Sequence, residues 1–375
     1  MKKFLVFGLI LAIAGGAFAQ SFTIGGGIST GLAVEWNEDA VDARLRFPSD
    51  HDGIQINLTG DAINAAGTVG ANFALRWDNI ILVARDDTGR DGEAYIGYLP
   101  YVKRANVWVA LVPNVMRVSL GIGGPGGFGT PGPLNKSLNV ATGDLNVTML
   151  INPVPQVTIG ATVNLPPIDT RIDKDTWSFD EDDIFISLGA RVNLENAANV
   201  AFNFSQNLKE KTVDMAAGFD ILALRVVTFG FDAALIDFFG AKDFSLGQSV
   251  NLNIGNFEAN FNARQFLELG SDDPMVMLFD TNVQYSFGAV TPRLGYGLGI
   301  NTTQPIPRQF YDELKPADAL INKASDPDAP YWAMVFNPNV LFNFGPSELE
   351  IGFSIYYDFV PTLYNVLYLG YKYNF

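Results

Sequence analysis

The stretch Phe22-Thr-Ile-Gly-Gly-Gly-Ile-Ser-Thr-Gly-Leu-Ala-Val-Glu-Trp36 reads on two faces. One face carries Phe22, Ile24, Gly26, Ile28, Thr30, Leu32, Val34 and Trp36. The other carries Thr23, Gly25, Gly27, Ser29, Gly31, Ala33 and Glu35. A period of two marks a β-strand whose faces meet different surroundings. The same rhythm returns over Val157–Leu165, Ile184–Leu194, Val290–Asn301 and Glu348–Phe359. After the first twenty residues no run of about 18 apolar residues follows, so helical membrane spans are not expected. A short helix is predicted only over Pro316–Lys323, inside a long polar stretch.

Composition narrows the setting. The 375 residues include 24 Lys and Arg against 40 Asp and Glu, with one His and no Cys. Zero cysteine removes disulfide scaffolds, thiolate metal sites and thiol nucleophiles. A formal charge of −16 opposes nucleic-acid binding, which needs a basic surface to displace counterions. Charged residues reach only 17 %, whereas aromatics are 13 %, with 37 Gly and 29 Phe. That profile is too apolar for a disordered acidic chain.

The first nineteen residues read as an export signal. Lys2 and Lys3 form a basic start, Phe4–Ile13 an apolar core, and Ala17 and Ala19 the small residues before a cleavage site. The expected layout is a signal peptide over 1–19 and one β-barrel over 20–375. No cysteine follows the cleavage point, so no lipid anchor is expected there.

Turns come in two kinds. Trp77-Asp78-Asn79, Gly255-Asn256, Gly288-Ala289 and Gly345-Pro346-Ser347 read as tight. Asn37–Gly53, Arg85–Gly92, Pro166–Asp183 and Asn301–Pro330 read as long and polar. Short turns at one end and long loops at the other suit an antiparallel up-and-down transmembrane barrel. A soluble β-sandwich would also alternate, with its apolar face inward. Against it, the polar faces consist of Gly, Asn, Ser, Thr and Gln rather than the Lys and Glu of a wet surface. Aromatics near segment ends (Trp36, Trp77, Tyr101, Trp108, Phe266, Phe287, Tyr331, Trp332, Phe344, Phe359) suggest interfacial girdles. In hydrocarbon every backbone group must be paired, so such a sheet must close.

The terminal stretch Leu363-Tyr-Asn-Val-Leu-Tyr-Leu-Gly-Tyr-Lys-Tyr-Asn-Phe375 resembles the last strand of bacterial outer-membrane β-barrel proteins. Their pattern is a polar residue, any, Gly, any two, an aromatic, any, and a final aromatic. Gly370, Tyr373 and Phe375 fill the later positions, and Tyr368, only partly polar, departs mildly at the first. The resemblance implies a porin-like fold, residence in the outer-membrane lipid, and recognition of this strand by the barrel-assembly machinery through strand addition.

At roughly 18–22 residues per strand and turn, the chain after the signal gives roughly 16 to 18 strands. A barrel that wide holds an aqueous lumen. The stretch Asp42–Ile122 divides ambiguously, which leaves the strand number open.

Candidate chemistry is thin. His51, the single imidazole, lies in the turn-like run Pro48-Ser-Asp-His-Asp-Gly53 and reads as a solvated residue, not a catalytic one. Gly121–Gly129 lacks the Lys and Ser/Thr of a phosphate loop; it reads as a surface loop or as one folded into the lumen. The acidic run Asp169–Asp183 fails as a calcium loop, because Trp177 stands at a ligand position and the turn Gly is missing. No catalytic set, metal or cofactor is therefore expected.

Alternation turns Arg76, Arg191, Arg264 and Arg293 inward, together with Glu35, Glu258, Asp280, Glu348, Glu350 and Asp358. Arg on the lipid face at mid-depth would cost about 2–4 kcal/mol. These ten are the candidate pore-lining residues. The expected function is passive diffusion of small hydrophilic solutes, with weak cation preference because carboxylates outnumber arginines. The alternative is an adhesin or structural barrel that binds partners through its long loops. A homo-oligomer is compatible with either.

Overall fold

The computed structural model describes residues 21–36, 41–44, 46–47, 51–52, 54–80, 101–123, 128–137, 145–164, 184–195, 197–223, 226–240, 242–270, 275–301, 332–358 and 363–375. Ala17, Ala19, the acidic run 169–183 and the helical signal at 316–323 lie outside them.

The alternating segments form one continuous antiparallel sheet. Its strands are β1 (Ser21–Trp36), β2 (Ile54–Ile63), β3 (Val69–Ile80), β4 (Tyr101–Val112), β5 (Met116–Ile122) and β6 (Leu145–Val154). There follow β7 (Val157–Asn164), β8 (Phe185–Leu194), β9 (Ala198–Asn207), β10 (Val213–Ala223), β11 (Val227–Ile236) and β12 (Asp243–Ile254). The last six are β13 (Phe257–Glu268), β14 (Val276–Tyr285), β15 (Val290–Ile300), β16 (Trp332–Phe344), β17 (Ser347–Asp358) and β18 (Leu363–Asn374). The sheet has 19 strands, one of which is the short Val41–Arg44 against the top of β1. The remaining eighteen pair in sequence order. The ring closes where β1 meets β18, from Gly27 opposite Asn374 to Trp36 opposite Asn365. At the seam the Phe375 N–H donates to the Gly26 carbonyl, and the Gly26 N–H to the Phe375 carbonyl, both at 2.9 Å. Closure leaves no sheet edge, which is the condition for an alternating sheet to persist in lipid.

The faces are inverted relative to a soluble protein. Ile24 is 61 % exposed and Leu188 49 %, whereas Asn203, Ser187 and Asp232 on the inner face are 0 % exposed. An outer wall of exposed Val, Leu, Ile and Phe is stable only against hydrocarbon.

All connections of one kind lie at one end. Gly255-Asn256 and Gly345-Pro346 are two-residue hairpin turns, and Gly345 has φ 66°. A Gly with positive φ followed by a Pro fixed near −65° fits a tight hairpin whose twist matches its strands. The strand ends that flank the long polar stretches all lie at the opposite end. Trp77-Asp78-Asn79, expected as a turn, instead lies within β3; the alternation Phe73, Leu75, Trp77 carries the strand past the polar pair. His51 also differs from expectation. His51–Asp52 is a two-residue strand paired with Arg46–Phe47 in the first long connection.

The girdle expectation fails at two rings. Trp108 shares the inward register of Asn106, and Arg117 lies over its ring at 5.3 Å. Its partner Gly70 leaves the space: a Cβ there would come within 2.5 Å of the indole. Phe266 also turns inward, two residues from Arg264, and packs against Leu134 and Val276.

The chain has no cysteine, so single cysteines report the orientation directly. Glu210→Cys, exposed in the connection between β9 and β10, should react with a membrane-impermeant maleimide on intact cells. Pro346→Cys, exposed in a tight turn, should react only after lysis. Labelling of Pro346→Cys alone on intact cells would invert the topology.

Candidate pore constriction

The third long connection, between β5 and β6, turns back into the barrel. Its described part, residues 128–137, lies against the inner wall of β7 to β12. The wall is built to receive it. Gly160 pairs with Gly189, Gly189 with Asn203 and Asn203 with Ala216. In the neighbouring row Gly218 pairs with Asp232, Asp232 with Gly247 and Gly247 with Arg264. Side chains at the glycines would collide with the segment. A Cβ on Gly160 or Gly189 would lie 2.4 or 2.5 Å from the Phe128 ring, and one on Gly247 2.9 Å from Leu134. Phe128 and Leu134 are each 1 % exposed. Phe128 packs on Leu150, and Leu134 on Ala216 and Ala234.

Polar groups then fix the seated segment. The Asn203 Nδ2 donates to the carbonyl of Phe128 at 2.7 Å and to that of Lys136 at 2.8 Å, so one amide holds both ends. Between them the Thr130 N–H donates to the Lys136 carbonyl, and the Lys136 N–H to the Thr130 Oγ1, both at 3.0 Å. The Asp232 carboxylate accepts from the Thr130 hydroxyl at 2.6 Å and from the N–H groups of Leu134 and Asn135 at 3.0 Å each. Three donors on one carboxylate satisfy an acceptor that would be costly to leave buried and bare. The segment turns no charged side chain to the lumen: Lys136 is buried, while Pro131, Pro133, Asn135 and Ser137 are partly or fully exposed.

The sequence reading left open whether this Gly-rich stretch stays outside or folds in; part of it folds in. It missed the residues that hold it. Asp232 had one legible signal, in Phe229-Gly-Phe-Asp-Ala-Ala-Leu-Ile236, where the inward face is otherwise Gly230, Ala234 and Ile236. Asn203 had none, because its role depends on where a distant loop lands.

The ten charged candidates do not gather at one place. Arg76, Arg191, Glu258, Arg264, Asp280, Arg293, Glu348 and Glu350 lie in the inward register of β3, β8, β13, β14, β15 and β17. Glu35 and Asp358 share that register in the backbone, but their side chains lie outside the described set. Arg264 and Asp280 form an ion pair at 2.7 Å, both largely buried, and the Asn262 Nδ2 donates to the same carboxylate at 2.6 Å. Asn260 links Asn262 to Asn251, extending an amide chain along the wall. Gln284 donates to Glu258 at 2.5 Å. Lys372 and Glu348 approach to 3.5 Å.

Of the four terminal residues, Tyr368 and Gly370 face inward, whereas Tyr373 is exposed on the outer wall. The Tyr368 hydroxyl donates to Glu350 at 2.9 Å, and Asn337 lies within 3.2 Å of the same oxygen. Gly352, opposite Tyr368, leaves room for the phenol. Among the described residues no cluster of His, Asp and Glu is arranged to hold a metal.

No family model and no curated protein sequence matches the chain. Solved structures do match over nearly its whole length. OpdL of Pseudomonas aeruginosa superposes with a TM-score of 0.61 at 10 % identity, covering 95 % of this chain and 99 % of that one. OccK1 (OpdK) of the same organism gives 0.58 at 12 %, covering 96 % and 100 %. OccAB4 of Acinetobacter baumannii gives 0.58 at 10 %, covering 95 % and 98 %. At such identities the likeness is one of fold, and it agrees with the strand count, the closure and the inverted faces. By its fold this chain is a porin-like transmembrane β-barrel of the bacterial outer-membrane type.

Proposed function

We propose that the protein is a non-enzymatic outer-membrane channel for passive diffusion of small hydrophilic solutes, exported by a signal peptide ending at Ala19. The observation that carries this reading is the polar-lined closed barrel narrowed by an anchored segment. A wide barrel provides a water path, and an anchored inner segment sets what fits. OpdK, an outer membrane protein of Pseudomonas aeruginosa, shares the architecture, which supports the same setting for this chain.

The ten inward charges are the proposed pore lining. Six are carboxylates and four are arginines, so the lumen favours cations weakly. The acidic residues Asp86, Asp87, Asp91, Glu93 and Asp180–Asp183 lie outside the described residues and would add to that field if they stand near the mouth. Such fields concentrate counter-ions locally, but reach only about 8 Å at physiological salt.

Purified protein in planar bilayers should give discrete conductance steps. Under a KCl gradient the reversal potential should have the sign of weak cation preference and shrink as salt rises. Absence of steps would remove the channel reading. Steps with a clear anion preference would leave the channel and assign the constriction to the arginines.

A further inference from the structure

The outer wall carries a feature that solute passage does not use. Away from the strand ends, its described positions are nearly all apolar or aromatic, as hydrocarbon contact requires. Two carboxamides break the pattern. Gln248 sits at the middle of β12 on the outward register between Leu246 and Val250, and it is exposed. Gln265 on β13 lies on the same outer face. Gln248 pairs directly with Ala263, and Gln265 with Leu246, so the two amides are diagonal neighbours flanking one alanine. The next outward position along β13 is the exposed Phe261, opposite Val250, so the amides and Ala263 sit among apolar side chains. No side-chain hydrogen bond of either Gln is present among the described residues.

A primary amide left bare in hydrocarbon costs several kcal/mol, so it needs a partner at that depth. Inserted copies of one barrel share an orientation, and a two-fold axis between them must run along the membrane normal. Such an axis brings each residue opposite its own copy at equal height. The carboxamide is suited to that meeting, because it donates and accepts at once and pairs with itself without net charge. Ala263, which adjoins both amides, leaves them room to reach past the wall toward a facing copy. The patch occurs once around the described wall, which fits a pair rather than a ring needing two different faces.

We infer that the face of β12 and β13 bearing Gln248 and Gln265 is an interface between two copies of this chain, joined by reciprocal amide hydrogen bonds within the bilayer. The absence of native cysteine makes the test direct. Gln248→Cys in native membranes should give a disulfide-linked dimer on mild oxidation, whereas Leu188→Cys, on the outer wall of β8, should stay monomeric. In detergent the unaltered protein should have twice the chain mass, and Gln248→Leu with Gln265→Leu should halve it while keeping the heat-modifiable barrel. Equal cross-linking at both cysteine positions, a monomer or trimer for the unaltered protein, or a dimer that survives the double substitution would overturn the pairing. A double variant that does not assemble leaves the cysteine comparison to decide. None of these outcomes depends on conductance, so the channel reading stands or falls separately.

Discussion

Replacing Asp232 with Ala should loosen the inner segment and raise single-channel conductance, with added open-channel noise. The carboxylate accepts three hydrogen bonds from residues 130–135. Bonds to an ionised acceptor contribute about 1.5–3 kcal/mol each, and the abandoned donors must find water. What remains is the Asn203 clamp and the burial of Phe128 and Leu134. Those side chains contribute about 1.5–3 kcal/mol apiece if fully buried. The loss is comparable to the remainder, so the segment should be partly released rather than freed. Asp232→Asn should fall between, because one amide oxygen still accepts while the NH2 opposes a backbone N–H. Unchanged conductance and noise in Asp232→Ala would mean that the segment is held by apolar contact alone.

Deleting Phe375 should sharply reduce folded protein in cells while affecting spontaneous refolding into liposomes much less. In the barrel the residue contributes two backbone hydrogen bonds to Gly26 and a ring against the outer wall. Two such bonds are worth about 0.5–1.5 kcal/mol each, a small part of what eighteen paired strands supply. A large cellular defect would therefore come from recognition of the last strand during insertion, as the resemblance of Leu363–Phe375 to such terminal strands implies. The heat-modifiable fraction measures both arms. Equal yields of the deletion and the parent in cells would remove the terminal residue from the recognition signal.

These two residues mark how far the sequence could be read. The barrel was legible because alternation is a property of single strands, repeated at Phe22–Trp36, Val157–Leu165 and Val290–Asn301. The end with long loops followed from the same count. Trp77-Asp78-Asn79 misled because two polar residues imitate a turn while the strand continues to Ile80. Trp108 misled because a ring near a strand end suits a girdle, and only the register with Gly70 reveals that it points inward. The constriction was legible only in part: the Gly-rich stretch could be read as folding inward, but not where it lands or what holds it. Gly160, Gly189, Gly218 and Gly247 each look like ordinary strand glycines, and their shared meaning exists only once six strands lie side by side.

The closing seam has a kinetic consequence. Every pairing in the ring except one joins strands adjacent in the chain, so each can form as a local hairpin. The exception joins residue 27 to residue 374, nearly the full contour apart. Loop-closure entropy grows only logarithmically with separation, yet this contact alone bears the largest such cost. Assembly should therefore proceed as a growing sheet with two open edges, sealed last at β1 and β18. Mutations at that seam should slow the final folding phase, whereas mutations in the middle hairpins should act earlier.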